Sequence, residues 1–224
     1  MRRTTAVLLA LLLAATVPSS SCHTARVLAP PPALRAASVA AFAVDVEFAE
    51  PVDKTSAEDP THYNLYPAAN PGLPATIGSA TMVDTVFGRT VQLIVPGWLG
   101  ASPDSVDYEV TSTGVQAADG SPTGSRRTVF RTGLNYSQPL AQLFDIHCNA
   151  CHGPKRTSCS YRTDSYSALF GAGTSPTPNL IAGNPRCLLA VKTKPRNSMF
   201  IQGNLSYLDS DIILNWIVNY SARP

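Results

Sequence analysis

The stretch Cys148-Asn149-Ala150-Cys151-His152 determines how the rest of the chain is interpreted. If it lies on a helix, its two thiols share one turn and the imidazole follows directly after them. Thiols at this spacing can each add across a vinyl group of haem, and the adjacent imidazole can bind the iron as its proximal ligand. The spacing therefore predicts one covalently attached haem c, held by Cys148, Cys151 and His152.

Two other uses of a C-x-x-C pair fit less well. A zinc site needs about four ligands, usually including a second closely spaced pair. Here Cys159 and Cys187 lie far apart, and no histidine follows His152. A dithiol of the thioredoxin type follows a strand in a βαβ unit, whereas the residues before Cys148 have a helical pattern. Haem attachment is therefore favoured over both.

Two amphipathic helices are predicted around this stretch. The first has Ser137 as its N-cap and carries Phe144 on the same apolar stripe as the two cysteines. The second begins at a capping box formed by Ser206 and Asp209 and has a broad apolar face that runs to Tyr220. The two apolar faces are expected to pack against each other.

Residues 134–224, with these two helices and the attachment stretch, resemble a small bacterial class I cytochrome c. In that family an aromatic residue four positions before the first cysteine packs across an aromatic residue of the last helix. The resemblance therefore implies that Phe144 contacts Trp216. It also implies an all-α fold for this part of the chain.

The sixth iron ligand is open on the residues alone. His147 shares a short helix with His152 and cannot reach the opposite haem face, which leaves Met199, two lysines or a tyrosine. A lysine is protonated at neutral pH and is a poor ligand unless its surroundings remove the proton. The Pro-bearing loop before Met199 resembles the loop that delivers the axial methionine in class I cytochromes c, and this implies that His152 and Met199 bind the iron. A methionine packed in a core is the alternative.

The N-terminus predicts export. Two arginines and an apolar run precede Cys22, so residues 1–21 are interpreted as a signal peptide, too short to serve as a membrane span. The stretch resembles a bacterial lipoprotein signal, which implies lipidation of Cys22; ordinary cleavage that leaves Cys22 as a free thiol is the alternative. Residues 22–36 are rich in proline and are predicted to be a tether. We expect an exported periplasmic or cell-surface lipoprotein anchored to a bacterial membrane.

Residues 37–133 show the two-residue period of β-strands. Val44, Val46 and Phe48 share one face, with Asp45 and Glu47 on the other. Similar runs recur between turn sequences, and no amphipathic helix separates them, which favours a β-sandwich.

Within that segment, Pro51-Val52-Asp53, Tyr63-Asn64-Leu65 and Tyr108-Glu109-Val110 resemble the strand order of bacterial Ig-like domains. The predicted fold class is therefore two domains, an all-β Ig-like sandwich followed by an all-α class I cytochrome c fold.

Two cysteines remain after lipid and haem are assigned. Cys159 and Cys187 form an even remainder in a chain predicted to enter an oxidising compartment, and this favours a disulfide between them. Two buried free thiols are the alternative.

Charge is distributed unevenly between the two parts. Residues 37–133 carry eleven acidic and five basic residues, whereas residues 134–224 carry four acidic and eight basic ones. Basic residues flank both segments expected at the haem edge: Lys155, Arg156, Lys192, Lys194 and Arg196. Such a distribution favours acidic redox partners, although an ordinary solvated surface explains it equally well. No nucleic-acid motif or nucleophile–base pair is visible, so neither nucleic-acid binding nor an enzyme is predicted.

The leading functional hypothesis is a membrane-tethered monohaem cytochrome that carries single electrons between redox partners. One alternative is a surface binding or scaffold lipoprotein whose Ig-like unit docks a larger complex, with the haem serving only that assembly. Another is a haem sensor or small peroxidase, which would need an open sixth position on the iron.

Overall fold

The computed structural model describes residues 34–96 and 106–224. These described residues belong to one compact unit. The predicted signal peptide, the lipidation site at Cys22 and most of the predicted tether lie outside the described residues. Within the described part, no helix is both long enough and apolar enough to cross a membrane.

The described residues first form seven strands and one short helix, followed by a region of short helices that also contains a two-residue eighth strand. The strands are β1 (Leu34–Ala40), β2 (Ala43–Phe48), β3 (Tyr63–Pro67), β4 (Ser79–Met82), β5 (Thr90–Ile94), β6 (Asp107–Ser112), β7 (Arg126–Arg131) and the two-residue β8 (Arg156–Thr157). The helices are α1 (Lys54–Ala57), α2 (Leu140–His147), α3 (Asn149–His152), α4 (Leu188–Thr193), α5 (Ser198–Gln202) and α6 (Tyr207–Val218), with 3-10 turns at Pro60–His62, Ser158–Ser160 and Ser167–Phe170.

The first seven strands form two antiparallel sheets that pack face to face. The first sheet has the order β1-β2-β5-β4 and the second the order β3-β6-β7. This four-plus-three order is that of a seven-stranded constant-type immunoglobulin sandwich. Val44, Val46 and Val91 lie between the sheets and are fully buried. We call residues 34–131 the sandwich.

Strand β1 begins inside the segment predicted to be a tether. Leu34 pairs with Phe48 of β2 and is only 2% exposed, so the chain is already part of the sandwich core at this residue. The proline run ends at Pro32, and the alternating pattern of the strand starts two residues later. The strand therefore starts three residues before the predicted boundary after residue 36.

Residues 134–224, which we call the helical region, have their own core. Phe144 and Trp216 are fully buried in it, and their rings meet edge to face with centroids 6.3 Å apart. The predicted contact between these two residues is thus present. Ser137 does not cap the first helix, because its hydroxyl donates to the side chain of Asn135 and α2 begins at Leu140, after Pro139.

The predicted fold class, two domains with an all-α class I cytochrome c fold as the second, is wrong. The described chain is a mixed structure of two sheets and six short helices in a single compact unit. Ala37 of β1 belongs to the core of the helical region, so the two parts share buried side chains. The sequence pattern predicted each part separately, and neither pattern indicates that β1 serves both.

Candidate functional site

The Cys148–His152 stretch forms a single turn at a break between two helices, and we call it the attachment turn. The backbone of Cys148 departs from helical geometry, at φ −121° and ψ −38°, and separates α2 from α3. Its carbonyl oxygen accepts hydrogen bonds from the amides of Cys151 at 3.1 Å and His152 at 2.9 Å. This arrangement keeps both thiols and the imidazole on one turn, as the sequence predicted.

The ring of His152 is held in a defined orientation. Its Nδ1 lies 3.1 Å from the carbonyl oxygen of Tyr161, and the two rings meet edge to face. A carbonyl can only accept, so Nδ1 carries a proton, and in the neutral ring Nε2 is then the nitrogen with the lone pair. A metal-binding histidine usually has this arrangement, with the nitrogen that does not bind metal donating to a carbonyl or carboxylate.

The two thiols of the same turn form no disulfide, and both Cys148 and Cys151 are half-buried. Burial, followed by the charge of Asp209 and the neighbouring Cys151, raises the pKa of the Cys148 thiol to about 12. At neutral pH Cys148 is therefore a protonated thiol and a poor metal ligand by itself. The turn fits covalent haem attachment, which uses both sulfurs for carbon–sulfur bonds and leaves the iron to His152.

Met199, the predicted sixth ligand, lies on α5 and is half-buried. Its neighbour Phe200 is buried and stacks on Phe87 of the sandwich, with centroids 6.3 Å apart. The role of Met199 as an iron ligand stays a prediction.

The two remaining cysteines are not joined in the structure. Both Cys159 and Cys187 are free thiols, the first exposed and the second buried. Cys159 lies in a 3-10 turn with a positive φ of 54°, and its carbonyl oxygen accepts from the amide of Thr174. The disulfide between the two cysteines therefore stays a prediction without a structural contact behind it.

A cluster of buried charges joins the sandwich to the helical region, and we call it the junction. Arg35 of β1 donates to Glu47 of β2 at 2.9 Å and to Asp209 of α6 at 2.5 Å. Both carboxyl groups are almost completely buried. Arg35 lies within the segment predicted to be a tether, and Glu47 was predicted only to lie on the strand face opposite the apolar residues, so this group of residues was not predicted.

Asp209 connects the junction to the attachment turn. Its Oδ2 lies 3.6 Å from Nε2 of His147, the residue before Cys148, and the Nδ1 of that histidine donates to the Gly203 carbonyl at 2.7 Å. Burial alone would raise the pKa of Asp209, but the charge and hydrogen bond of Arg35, together with His147, outweigh it and hold the pKa below its usual range. Asp209 is therefore ionised at neutral pH.

The outer side of the second sheet carries exposed residues, unlike that of the first sheet, and we call it the open face. Its central residues are Tyr66, Glu109, Arg127, Val129 and Arg131. Val129 is 56% exposed although it lies in the middle of β7. Beside it, the hydroxyl of Tyr66 donates to Glu109 at 2.7 Å, and this hydrogen bond raises the pKa of Tyr66. An exposed valine next to a tyrosine and arginines is a composition typical of protein interfaces.

Comparison with known proteins gives limited similarity. No protein family and no curated protein matches the sequence. Among solved structures, the N-terminal part of the bacterial S-layer protein SbsC matches with a TM-score of 0.39 and 18% identity, over 45% of this chain and 23% of that one. The S-layer protein rSbsC(31-844) matches with a TM-score of 0.35 and 19% identity, over 41% of this chain and 12% of that one. The chain thus spans less than a quarter of the length of either.

The prediction of an electron-carrying class I cytochrome c is wrong. It depended on an all-α haem domain, and the structure shows short helices packed on a sandwich instead. The predicted resemblances to a class I cytochrome c and to a bacterial Ig-like domain are likewise unsupported, because no family model and no curated protein matches the sequence. Among residues 34–96 and 106–224, no group of three or more histidine, cysteine or acidic side chains is placed to hold a metal ion.

Proposed function

We propose that this protein is an exported binding or scaffold protein of the cell surface, with no enzymatic activity, whose sandwich docks onto a larger assembly. The observation that supports the proposal most directly is the contrast between the outer sides of the two sheets. The helical region covers Arg35, Asp45 and Glu47 on the first sheet, whereas Val129 and Arg127 on the second remain exposed. A folded scaffold needs such a free face for its partner.

A protein partner with an acidic surface suits the open face best. Residues 37–133 carry only five basic residues, and three of them, Arg126, Arg127 and Arg131, lie on β7. Arginine beside an exposed aliphatic side chain can combine apolar contact with charge-assisted hydrogen bonds to carboxylates. The surrounding sandwich is otherwise acidic and would repel such a partner elsewhere.

Site-specific photo-crosslinking in the source cells tests the docking face. A photoreactive residue at position 129 should give a discrete crosslinked product. The same residue at Leu73, which is 64% exposed in the loop between β3 and β4, serves as the control. Adding Arg127→Glu should abolish the product from position 129. Equal products from both positions, or none from 129, would overturn the proposal.

Export and attachment to a membrane are part of the proposal. The N-terminal arginines, the apolar run and Cys22 support secretion followed by lipidation, which would leave the sandwich beside a membrane surface. Cys22→Ala should move the protein from the membrane fraction to the soluble exported fraction. An unchanged distribution would remove the lipid anchor and leave the docking proposal untouched.

We further propose that the attachment turn holds one haem c as a fixed part of the scaffold. Cys148 and Cys151 would add across its two vinyl groups, and His152 would bind the iron through Nε2. The orientation of His152 by the Tyr161 carbonyl supports this assignment. The bound group would supply an additional apolar surface against which the short helices of this region pack.

Mass spectrometry after expression with a cytochrome c maturation system tests the cofactor. The intact chain should gain the mass of one haem, and Cys148→Ala with Cys151→Ala should abolish that gain. A Cys159→Ala variant is the matched control, because Cys159 is likewise in no disulfide and lies outside the turn. A folded chain that matures without added mass would exclude haem.

A further inference from the structure

Two carboxyl groups face each other where helix α6 rests on the first sheet. Asp45 of β2 is completely buried, and its Oδ1 accepts from Nε2 of Gln92 on β5 at 3.0 Å. The carboxyl of Asp211 on α6 faces Asp45 across the contact between α6 and β2, near enough for each group to act on the other. Oδ2 of Asp211 also accepts a hydrogen bond from Nδ2 of Asn215 at 2.9 Å.

The pairing needs a proton. Oδ2 of Asp45 is buried and finds no protein N–H or O–H donor in the described structure. Two ionised carboxylates have only acceptor oxygens, so nothing would hold them together in a buried contact. When one of them is protonated, its O–H donates to the other, and the contact becomes a short charge-assisted hydrogen bond.

The surrounding groups add negative charge. Glu47 on β2 and Asp209 on α6 flank the pair, and Asp84, in the segment between β4 and β5, acts with both members on the hydroxyl of Tyr207. Positive charge comes from Arg35 on β1, which pairs with Glu47 and Asp209, and from His147 on α2 when it is protonated. Neither cation makes an ion pair with Asp45 or Asp211 among the contacts described.

We propose that this contact is proton-dependent: one proton shared by Asp45 and Asp211 holds α6 against β2, and its release as the pH rises loosens the helical region from the sandwich. The outer side of the first sheet, including Asp45 and Glu47, then becomes accessible to water. The mechanism is independent of what binds the open face.

The direction of the pH dependence follows from burial. Burial, and then the charge of Asp211, raises the pKa of Asp45 well above its usual range, and burial also raises the pKa of Asp211. A group whose pKa is higher in the folded state contributes stability that is present at low pH and is lost as the pH rises through the folded pKa. The contact is therefore closed in acid and opens toward neutral or alkaline pH.

Hydrogen exchange of the full chain, followed by mass spectrometry between about pH 5 and about pH 9, tests the proposal. The amides of α6 are compared with those of β5 in the same sample, so that the intrinsic acceleration by hydroxide cancels. Below the folded pKa, where opening releases the shared proton, the ratio of α6 to β5 exchange should rise by up to about tenfold for each pH unit, and it should level off above that pKa. A ratio that stays within about twofold over the whole range would overturn the proposal.

Two variants identify the proton. Asp45→Asn places a permanent N–H donor opposite Asp211 and keeps an oxygen for Gln92, so the exchange ratio should become independent of pH. Asp211→Asn should have the same effect from the other side and replaces the first variant if that one does not fold. Asp119→Asn, in an exposed turn between β6 and β7, is the control and should keep the wild-type rise. A wild-type rise that persists in the Asp45 and Asp211 variants would also overturn the proposal.

Discussion

The two outer sides of the sandwich are built from similar residues but differ in how far those residues are buried. Both carry arginine and acidic side chains on neighbouring strands, as Arg35 with Glu47 on the first sheet and Arg131 with Asp107 on the second. The helical region buries the first pair, whereas the second pair is about half exposed. The comparison shows that the same ion pair can be a structural requirement in one place and a minor surface feature in another.

The largest difference is expected from removing the arginine of each pair. Arg35→Ala leaves the carboxylates of Glu47 and Asp209 buried without their main cation, which should lower the free energy of unfolding by about 3 kcal/mol. Arg131→Ala removes an exposed pair and should cost less than about 1 kcal/mol. Urea denaturation of both variants measures the difference. Equal losses would mean that the helical region does not enclose the first pair.

The fall in the free energy of unfolding at low pH should depend on Asp209. Because its pKa is held below the usual range in the folded state, the stability it contributes is present above the ordinary aspartate pKa of about 3.9 and is lost as the pH falls through the folded value. The wild type should lose about 1 to 2 kcal/mol over that interval. Asp209→Asn should start less stable at pH 7 and lack this acid limb.

Thermal unfolding at a series of pH values measures how stability depends on pH in the wild type and in Asp209→Asn. The control is Asp107→Asn, on the open face, which should lose stability in acid as the wild type does. A limb that is unchanged in the Asp209 variant would assign it to another carboxyl group.

A smaller effect is expected at the start of α6. Ser206 accepts from the amide of Asp209 at 3.1 Å, and the carboxylate of Asp209 accepts from the amide of Ser206 at 3.0 Å. Ser206→Ala breaks this capping box and should cost about 1 kcal/mol in urea denaturation. Ser137→Ala, whose hydroxyl is exposed and caps no helix, should cost less than about 0.5 kcal/mol. Similar losses for both serines would contradict the role of the box.

The smallest effect on stability is expected on the open face. Val129→Thr should change the free energy of unfolding by less than about 0.5 kcal/mol, because the side chain is largely exposed and the substitution suits a strand. The fully buried Val46 lies on the inner side of the neighbouring sheet, and Val46→Thr should cost several times more. A large loss for Val129→Thr would mean that this side is covered in solution.

Local patterns were sufficient for several elements of the fold. The alternation of Val44, Val46 and Phe48 predicted a strand with a buried side, and β2 has these residues in the core. The Ser206–Asp209 pattern predicted the start of a helix, and the capping box is present. Such signals can be read from the sequence because they depend on residues within a few positions of each other.

The same reasoning failed where a distant segment supplies the environment. The alternation of Asp45 and Glu47 with apolar residues predicted that they lie on the face opposite Val44 and Val46, but it did not predict that every residue of β2 is buried. Arg35 was assigned to a proline-rich tether, and it lies in a strand that contacts a helix about 170 positions later. An acidic residue in a strand signals an outer side but does not reveal whether another element covers it.

The attachment turn combines features that the local sequence determined with features that only the tertiary structure decided. The order of Cys148, Cys151 and His152 by itself determined that two thiols and an imidazole share one turn, since neighbouring residues on a helix have few alternative positions. Only the tertiary structure decided that the Tyr161 carbonyl orients His152 and that α6 rests on the first sheet. These arrangements depend on which surfaces become buried together, and burial is a property of the whole fold, because it depends on contacts between segments far apart in the chain.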